Sequence, residues 1–232
     1  MPLDLPNFSH GTAGVGYFLA ALYAETGDSR FLRAAQRAAS YVSALADRDG
    51  GLFLVPYGVP NEGFTTAYDI GWAHGPAGTA RLFYLLWVIT EDPEYGSIVH
   101  ANALTIAASG MPEATADPQR WAGPFRIDRR FGSSGAADFL LKLHAAAPDP
   151  RYPLLGERVM SVILEQSRVS RAGRFWPLPL YGFQGDEGEI GIYTGYFYGA
   201  AGLGMALLEA HYARIGGRSR VRLPGDPFPP GR

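Results

Sequence analysis

The chain has 232 residues, a formal net charge of −2 and an apolar fraction of 47%, enough material for one sizeable core. It has no cysteine, which excludes disulfides and any zinc site built on a thiolate of this chain. No basic stripe is present, which argues against a nucleic-acid partner.

Lys142 is the single lysine against 19 arginines, a bias read as base composition of the genome and not as a site. The N-terminus MPLDLPNFSHG lacks the charged-then-apolar order of a secretory signal, and no apolar run approaches a membrane span. A cytoplasmic protein without a membrane partner is the default expectation.

Taken in chain order, the first element is announced by His10-Gly11-Thr12-Ala13-Gly14-Val15-Gly16. It runs into a helix expected over 15–25, apolar nearly all round (Tyr17, Phe18, Leu19, Leu22) and therefore buried. A Thr26-Gly27-Asp28 turn leads to an amphipathic helix. There Phe31, Leu32, Ala35, Ala38, Ala39, Val42 and Leu45 recur at helical spacing, opposite Arg30, Arg33, Gln36 and Arg37. A long loop rich in Gly, Pro and aromatic residues (52–72) follows. The pattern then repeats from His74-Gly75-Pro76-Ala77-Gly78, with a helix over 79–89, from Phe131-Gly132-Ser133-Ser134-Gly135, with a helix over 136–144, and from Tyr198-Gly199-Ala200-Ala201-Gly202, with a helix over 203–214.

The first glycines lie roughly 60 residues apart, a period suited to two helices and a loop. A second landmark keeps step: fifteen residues after Gly11, Gly75 and Gly132 stand Thr26, Thr90 and Ala147, each opening a turn followed by an aromatic residue. The alternation of buried and amphipathic helices implies about four helical hairpins wound into a solenoid or toroid. Inner-helix N-termini would then point to one end of the axis, where unpaired N–H groups favour anions or polarised carbonyls. The loops entering those N-termini, 52–72 and 175–196, are expected to form short hairpins or a rim. Residues 1–216 read as one all-α domain and 217–232, rich in Pro, Gly and Arg, as a disordered tail.

NFSHGTAGVGYFLAALYAETGDSRFLRAA, GWAHGPAGTARLFYLLW and TGYFYGAAGLGMALLEAH resemble the repeat signatures of the lanthionine synthetase C-like family, the lanthipeptide cyclases and their relatives. The likeness runs from about Phe8 to Arg214. It implies an (α/α) toroid with its site where the glycine motifs cluster. In that family a zinc ion lowers the pKa of a cysteine thiol in a substrate peptide. The thiolate adds to a dehydrated serine or threonine and closes a thioether ring. A histidine then suits the protonation step.

Two departures follow from the same resemblance. Where the family carries its zinc ligands this chain has Ala73, Arg130 and Phe131, which cannot bind the ion, so no metal or other cofactor is expected. The chain also has about four units where the family has about seven. Three explanations stay open: a fragment, a ring completed by another chain or a second copy, or an open arc.

His10 stands at the family's acid/base histidine. His74 follows the lost ligand and is its repeat partner, and Asp69 is the loop carboxylate nearest that motif; these three are the candidate catalytic groups. Trp72, Arg130 and Tyr198 are the candidate substrate-binding residues. For Arg130 the plainer expectation is an ion pair with Asp128 or another loop carboxylate; the sharper one is a fixed cation that lowers a substrate thiol's pKa without metal. His100, His144 and His211 are read as structural.

The leading expectation is a metal-free member that binds or cyclises a dehydrated, cysteine-containing peptide. A second is a non-catalytic scaffold that completes another barrel. A third, weaker one is a carbohydrate-active toroid, for which Asp69 with Glu187 or Glu189 would be the carboxylate pair.

Overall fold

The four glycine motifs fold alike, each as a turn that feeds directly into a helix. The structure is a computed structural model and describes residues 4–59, 67–113, 119–121, 126–181, 187–217 and 225–228, with the side chains of 179–181 and 187–189 outside that set. Its inner helices are α1 (Thr12–Thr26), α3 (Pro76–Thr90), α5 (Ser133–Ala146) and α7 (Ala200–Arg214), and its outer helices are α2 (Ser29–Leu45), α4 (Pro93–Ala108) and α6 (Arg151–Glu165). Each inner helix begins right after the first glycine of its motif, three residues earlier than hydrophobic periodicity alone suggests.

Steric closeness explains both glycines of the motif. A Cβ on Gly14, Gly78, Gly135 or Gly202 would lie 2.1, 1.8, 2.1 or 1.9 Å from the carbonyl oxygen six residues upstream, a distance no side chain tolerates. The first glycines are crowded in the same way; Gly11 would meet the Leu5 carbonyl oxygen at 2.1 Å and Gly199 that of Tyr193 at 2.3 Å. The motif therefore pins the incoming turn onto the first turn of its helix. Upstream carbonyls satisfy free N–H groups there: Thr12 donates to Leu5, Ser133 to Arg126 and Ala200 to Tyr193, at 2.9, 2.7 and 2.9 Å.

The turns also bond to one another across repeats. Ser9 N–H donates to the Ala73 carbonyl at 2.9 Å, Ala73 to Arg130 at 2.8 Å and Arg130 to Phe197 at 3.1 Å. These residues hold the same place in the four motifs, so a backbone ladder joins neighbouring units at the end of the axis where the inner helices start.

At the opposite ends, Asp28, Asp92 and Asp149 each accept from the backbone N–H two residues on, at 2.9 Å, and so start the outer helices. Gly27 closes α1 in the left-handed region (φ 70°), and Glu91 takes the same conformation after α3 (φ 58°).

The inner helices pack in the order α1, α3, α5, α7, each of the first three against its own outer helix. α3 and α5 are buried on every side through their first turns, as apolar inner helices should be. The flanking ones are not: Val15 and Phe18 on α1 are 60% and 62% exposed, and Leu208 on α7 is 48% exposed. The units form an open arc of the helical toroid. The fourth unit differs from expectation, because among the described residues α7 has no outer partner helix.

β1 (Arg168–Ser170) pairs antiparallel with β2 (Gly173–Phe175) ahead of the loop singled out from sequence. Within that loop, 175–196, β3 (Pro177–Tyr181) pairs antiparallel with β4 (Glu187–Ile192), a short hairpin of the kind expected there.

Of the tail expected to be disordered, residues 225–228 are described and are packed inside the arc, with Asp226 and Phe228 only 3% and 4% exposed. The reason is charge and volume. Asp226 joins a buried group of cations, and the Phe228 ring lies 4.4 Å from Tyr84 and 5.9 Å from Phe139. A segment read by composition alone shows neither.

Candidate functional site

Each motif delivers one ring to the same end of the axis, from the residue just before its first glycine. The centroids run His10 to His74 at 6.0 Å, His74 to Phe131 at 5.9 Å and Phe131 to Tyr198 at 6.2 Å. This even spacing follows from the backbone ladder, which fixes successive turns at one separation.

Arg130 closes the row. Its Nη2 lies 2.6 Å from His10 Nε2 and its Nη1 donates to the Tyr198 hydroxyl at 2.5 Å. Its guanidinium carbon lies 4.9 Å from the Phe131 ring centroid and 5.5 Å from that of Tyr198. A guanidinium only donates, so His10 Nε2 accepts and the imidazole proton sits on Nδ1. His10 is exposed and lines an open cleft of about 520 Å³ with Asp4, Leu5, Gly11, Thr12, Val15 and Tyr41.

Arg130 does not form the expected ion pair with Asp128. Asp128 accepts from Arg126 Nε at 2.5 Å and from the backbone N–H groups of Arg130 and Phe131 at 3.0 and 2.9 Å. It thereby shapes the turn that aims Arg130, and its own ion pair is with Arg126.

His74 sits deeper than His10, 2% exposed, with the Tyr57 ring at 4.2 Å and Phe131 stacked at an interplanar angle of 14°. Burial, helped by the nearby Arg130 charge, pushes its imidazole down to about 4. Its Nδ1 has no hydrogen-bond partner among the described residues.

Asp69 lies behind the row. Its Oδ1 accepts from Gly71 N–H at 2.7 Å, and it lines a gap with Asn7, Phe53 and Thr105 that has no volume for a water molecule. Burial pushes its carboxyl up to about 6 against the Gly71 and Ile70 amides, with Asp128 adding to the rise. Trp72 packs between Phe8 and Phe197, at 5.3 and 4.8 Å. Of the six sequence candidates the fold thus gathers His10, His74, Arg130 and Tyr198, and sets Asp69 and Trp72 one layer below.

Tyr57, the closest ring to His74 among the described residues, was not singled out from sequence. It comes from the long loop 52–72, where no spacing pattern points to it. For the carbohydrate reading, the Glu187 and Glu189 side chains lie outside the described residues.

Among the described residues no three His, Cys, Asp or Glu side chains cluster as metal ligands. At the positions in question stand Ala73, a guanidinium already bonded to His10, and a phenyl ring. That donor set does not fit zinc.

Residues 5–118 match the family model described as lanthionine synthetase C-like protein. That match places residues 5–118, just under half of the chain, in the lanthionine synthetase C-like family. The family match covers the first two repeats, those that carry His10 and His74, and the ladder from Ala73 to Phe197 extends the same motif through the other two.

Solved structures share the fold at low identity. A family 76 glycoside hydrolase from a bovine Bacteroides thetaiotaomicron strain superposes with a TM-score of 0.52 at 16% identity, over 88% of this chain and 42% of that one. The Lin0763 protein from Listeria innocua gives 0.56 at 19%, over 88% and 55%. A family 88 glycosyl hydrolase from Bacteroides vulgatus gives 0.54 at 17%, over 88% and 61%. The chain therefore spans about half the length of the solved structures it resembles. No curated protein sequence matches it. Among the described residues no helix is long and apolar enough to cross a membrane.

Proposed function

We propose that this protein binds a dehydrated, cysteine-containing peptide at the rim of the arc and closes its thioether ring without metal. The observation that supports this is Arg130, whose guanidinium is held by His10 and Tyr198 where the zinc ligands of the family are missing.

The chemistry needs a thiolate and a returned proton. A substrate thiol entering the cleft displaces the imidazole from the guanidinium. His10 Nε2 takes the thiol proton, and the sulfur anion is paired with Arg130. The sulfur attacks the β-carbon of a dehydroamino acid, forming one C–S bond and consuming the C=C π bond. The enolate that results takes the proton back from His10 at its α-carbon. Buried His74 is neutral at pH 7, so it adds no competing positive charge beside Arg130.

Incubation with a dehydrated precursor, followed by alkylation and mass spectrometry, measures the remaining free thiol. Loss of alkylatable thiol above the spontaneous control is expected. His10→Asn should slow it by roughly 100-fold or more, in the range of a lost acid/base group. Thiol that stays at control level would falsify the catalytic reading.

The exposed apolar faces of α1 and α7 favour a second reading, a subunit that completes another barrel. Light scattering on a sizing column separates the two, since a compact monomer at high concentration removes the basis for self-completion.

A further inference from the structure

Among the described residues, six charged side chains, 9% exposed or less, meet between α3, α5 and α7 beneath the ring row: Arg81, Arg129 and Lys142 against Asp138, Glu209 and Asp226. Five belong to the repeats. Asp226 does not; it arrives on the tail, where Lys142 Nζ bonds to its carboxylate and Arg81 lies 3.6 Å away. Arg81 Nη1 also donates to the Gly225 carbonyl at 2.8 Å. Two residues on, Phe228 fills a socket formed by Tyr84 and Phe139. Among the described residues, 225–228 make no backbone–backbone hydrogen bond to the body. The described contacts of the segment are those of a ligand: a carboxylate on cations, one carbonyl on an arginine and one ring in an aromatic socket.

We infer that the cleft between α3, α5 and α7 is a binding site for a short acidic–aromatic peptide, occupied in cis by residues 225–228. Among the described residues, without Asp226 the repeats present three cations to two carboxylates, an excess of positive charge beside an apolar hole. That combination selects an acidic residue with an aromatic residue two positions later. A Cβ on Gly225 would lie 3.7 Å from Phe8 and 3.9 Å from Trp72, in the turns that carry His10 and His74. Occupancy of the cleft is thus felt directly below the rim. A peptide of the same chemistry supplied in trans competes with the tail. The inference concerns binding alone and stands whether or not the rim performs thiol addition.

The test uses the full chain and an Asp226→Ala, Phe228→Ala double variant, titrated with the synthetic peptide Gly-Asp-Pro-Phe and followed by tryptophan fluorescence. The folded variant should bind one peptide saturably, at least tenfold more tightly than the full chain does. Gly-Asn-Pro-Phe should lose that advantage. Absence of saturable binding, equal affinity for the full chain, or equal affinity for the asparagine peptide each overturns the inference. If the double variant does not fold, hydrogen exchange on the full chain decides. Amides of Asp226 and Phe228 exchanging at least a hundredfold faster than those of Phe139–Leu143 support an exchangeable occupant. Exchange in step with α5 means the tail is a fixed part of the core, and the inference fails.

Discussion

At His74 the imidazole lies between Tyr57 and Phe131, 2% exposed, with its ionisation pushed down to about 4. In the unfolded chain it titrates at 6.5. Between those values the unfolded chain binds more protons, so stability contributed by a neutral His74 is present above pH 6.5 and falls as the pH drops towards 4. His74→Gln should flatten that part of the melting-temperature profile; an unchanged profile would mean that another group sets it. Asp69 has the opposite sign. Its carboxyl is raised to about 6 from 3.8, so the folded state binds more protons in that window and loses stability as pH rises through it. Asp69→Asn, which can still accept from Gly71 N–H, should therefore melt higher than the parent at pH 7 and about equally at pH 4, as thermal unfolding at the two values will show. Both shifts arise from burial in the fold, and the sequence shows only a histidine and a carboxylate near a motif.

At the scale of the element, the glycine motif carries the repeat because each of its two glycines meets backbone, not a movable side chain. Gly78→Ala would set a Cβ 1.8 Å from the Trp72 carbonyl oxygen; the helix or the turn must move, and the ladder from Ser9 through Ala73 to Arg130 moves with it. A loss of several kcal/mol, on the order of 3, is expected in urea unfolding, whereas Gly204→Ala, with nothing within 4 Å, should gain roughly 0.5–1 kcal/mol. Equal effects at the two sites would sink the steric account. Glu91 offers the converse case: it holds the left-handed conformation that Gly27 holds after α1, and Glu91→Gly should stabilise by about 1 kcal/mol in the same assay. These elements were legible in the sequence because their cause is local. Gly-x-x-Gly, Thr-Gly-Asp and the apolar inner helices each encode a contact within one repeat. What was not legible is what closes between repeats. Arg130 looked ready to pair with Asp128, two residues away, yet the turn spends Asp128 on Arg126 and on backbone amides, and sends the guanidinium 120 residues back to His10.

For the molecule as a whole, the open arc has an interior that its apolar helices do not fill alone, and a buried ionic group occupies the middle of it. Asp138 is the hub, with Arg129 at 2.8 Å, Lys142 at 3.1 Å and Arg81 at 3.2 Å. Burial pushes its carboxyl up, but these three cations outweigh the desolvation and hold it below the ordinary carboxylate range. Nothing in the sequence joins Arg81, Asp138, Glu209 and Asp226, because they lie one to a repeat or on the tail and only the winding of the arc brings them together. Asp138→Asn keeps the shape and removes the charge, leaving three buried cations against Asp226 and Glu209. Breaking a buried pair from one side costs roughly 3–5 kcal/mol, so the midpoint of urea unfolding should fall by that equivalent. Salt should not restore it, since screening does not reach a site 1% exposed. The pH dependence carries the sign of a depressed carboxylate: the parent's advantage over Asp138→Asn is complete well above the unfolded value of 3.8 and shrinks as the pH falls through it towards the lowered folded value. A variant within 1 kcal/mol of the parent at pH 7, or a difference that grows on acidification, would show that the helices and not the ionic group hold the arc in shape.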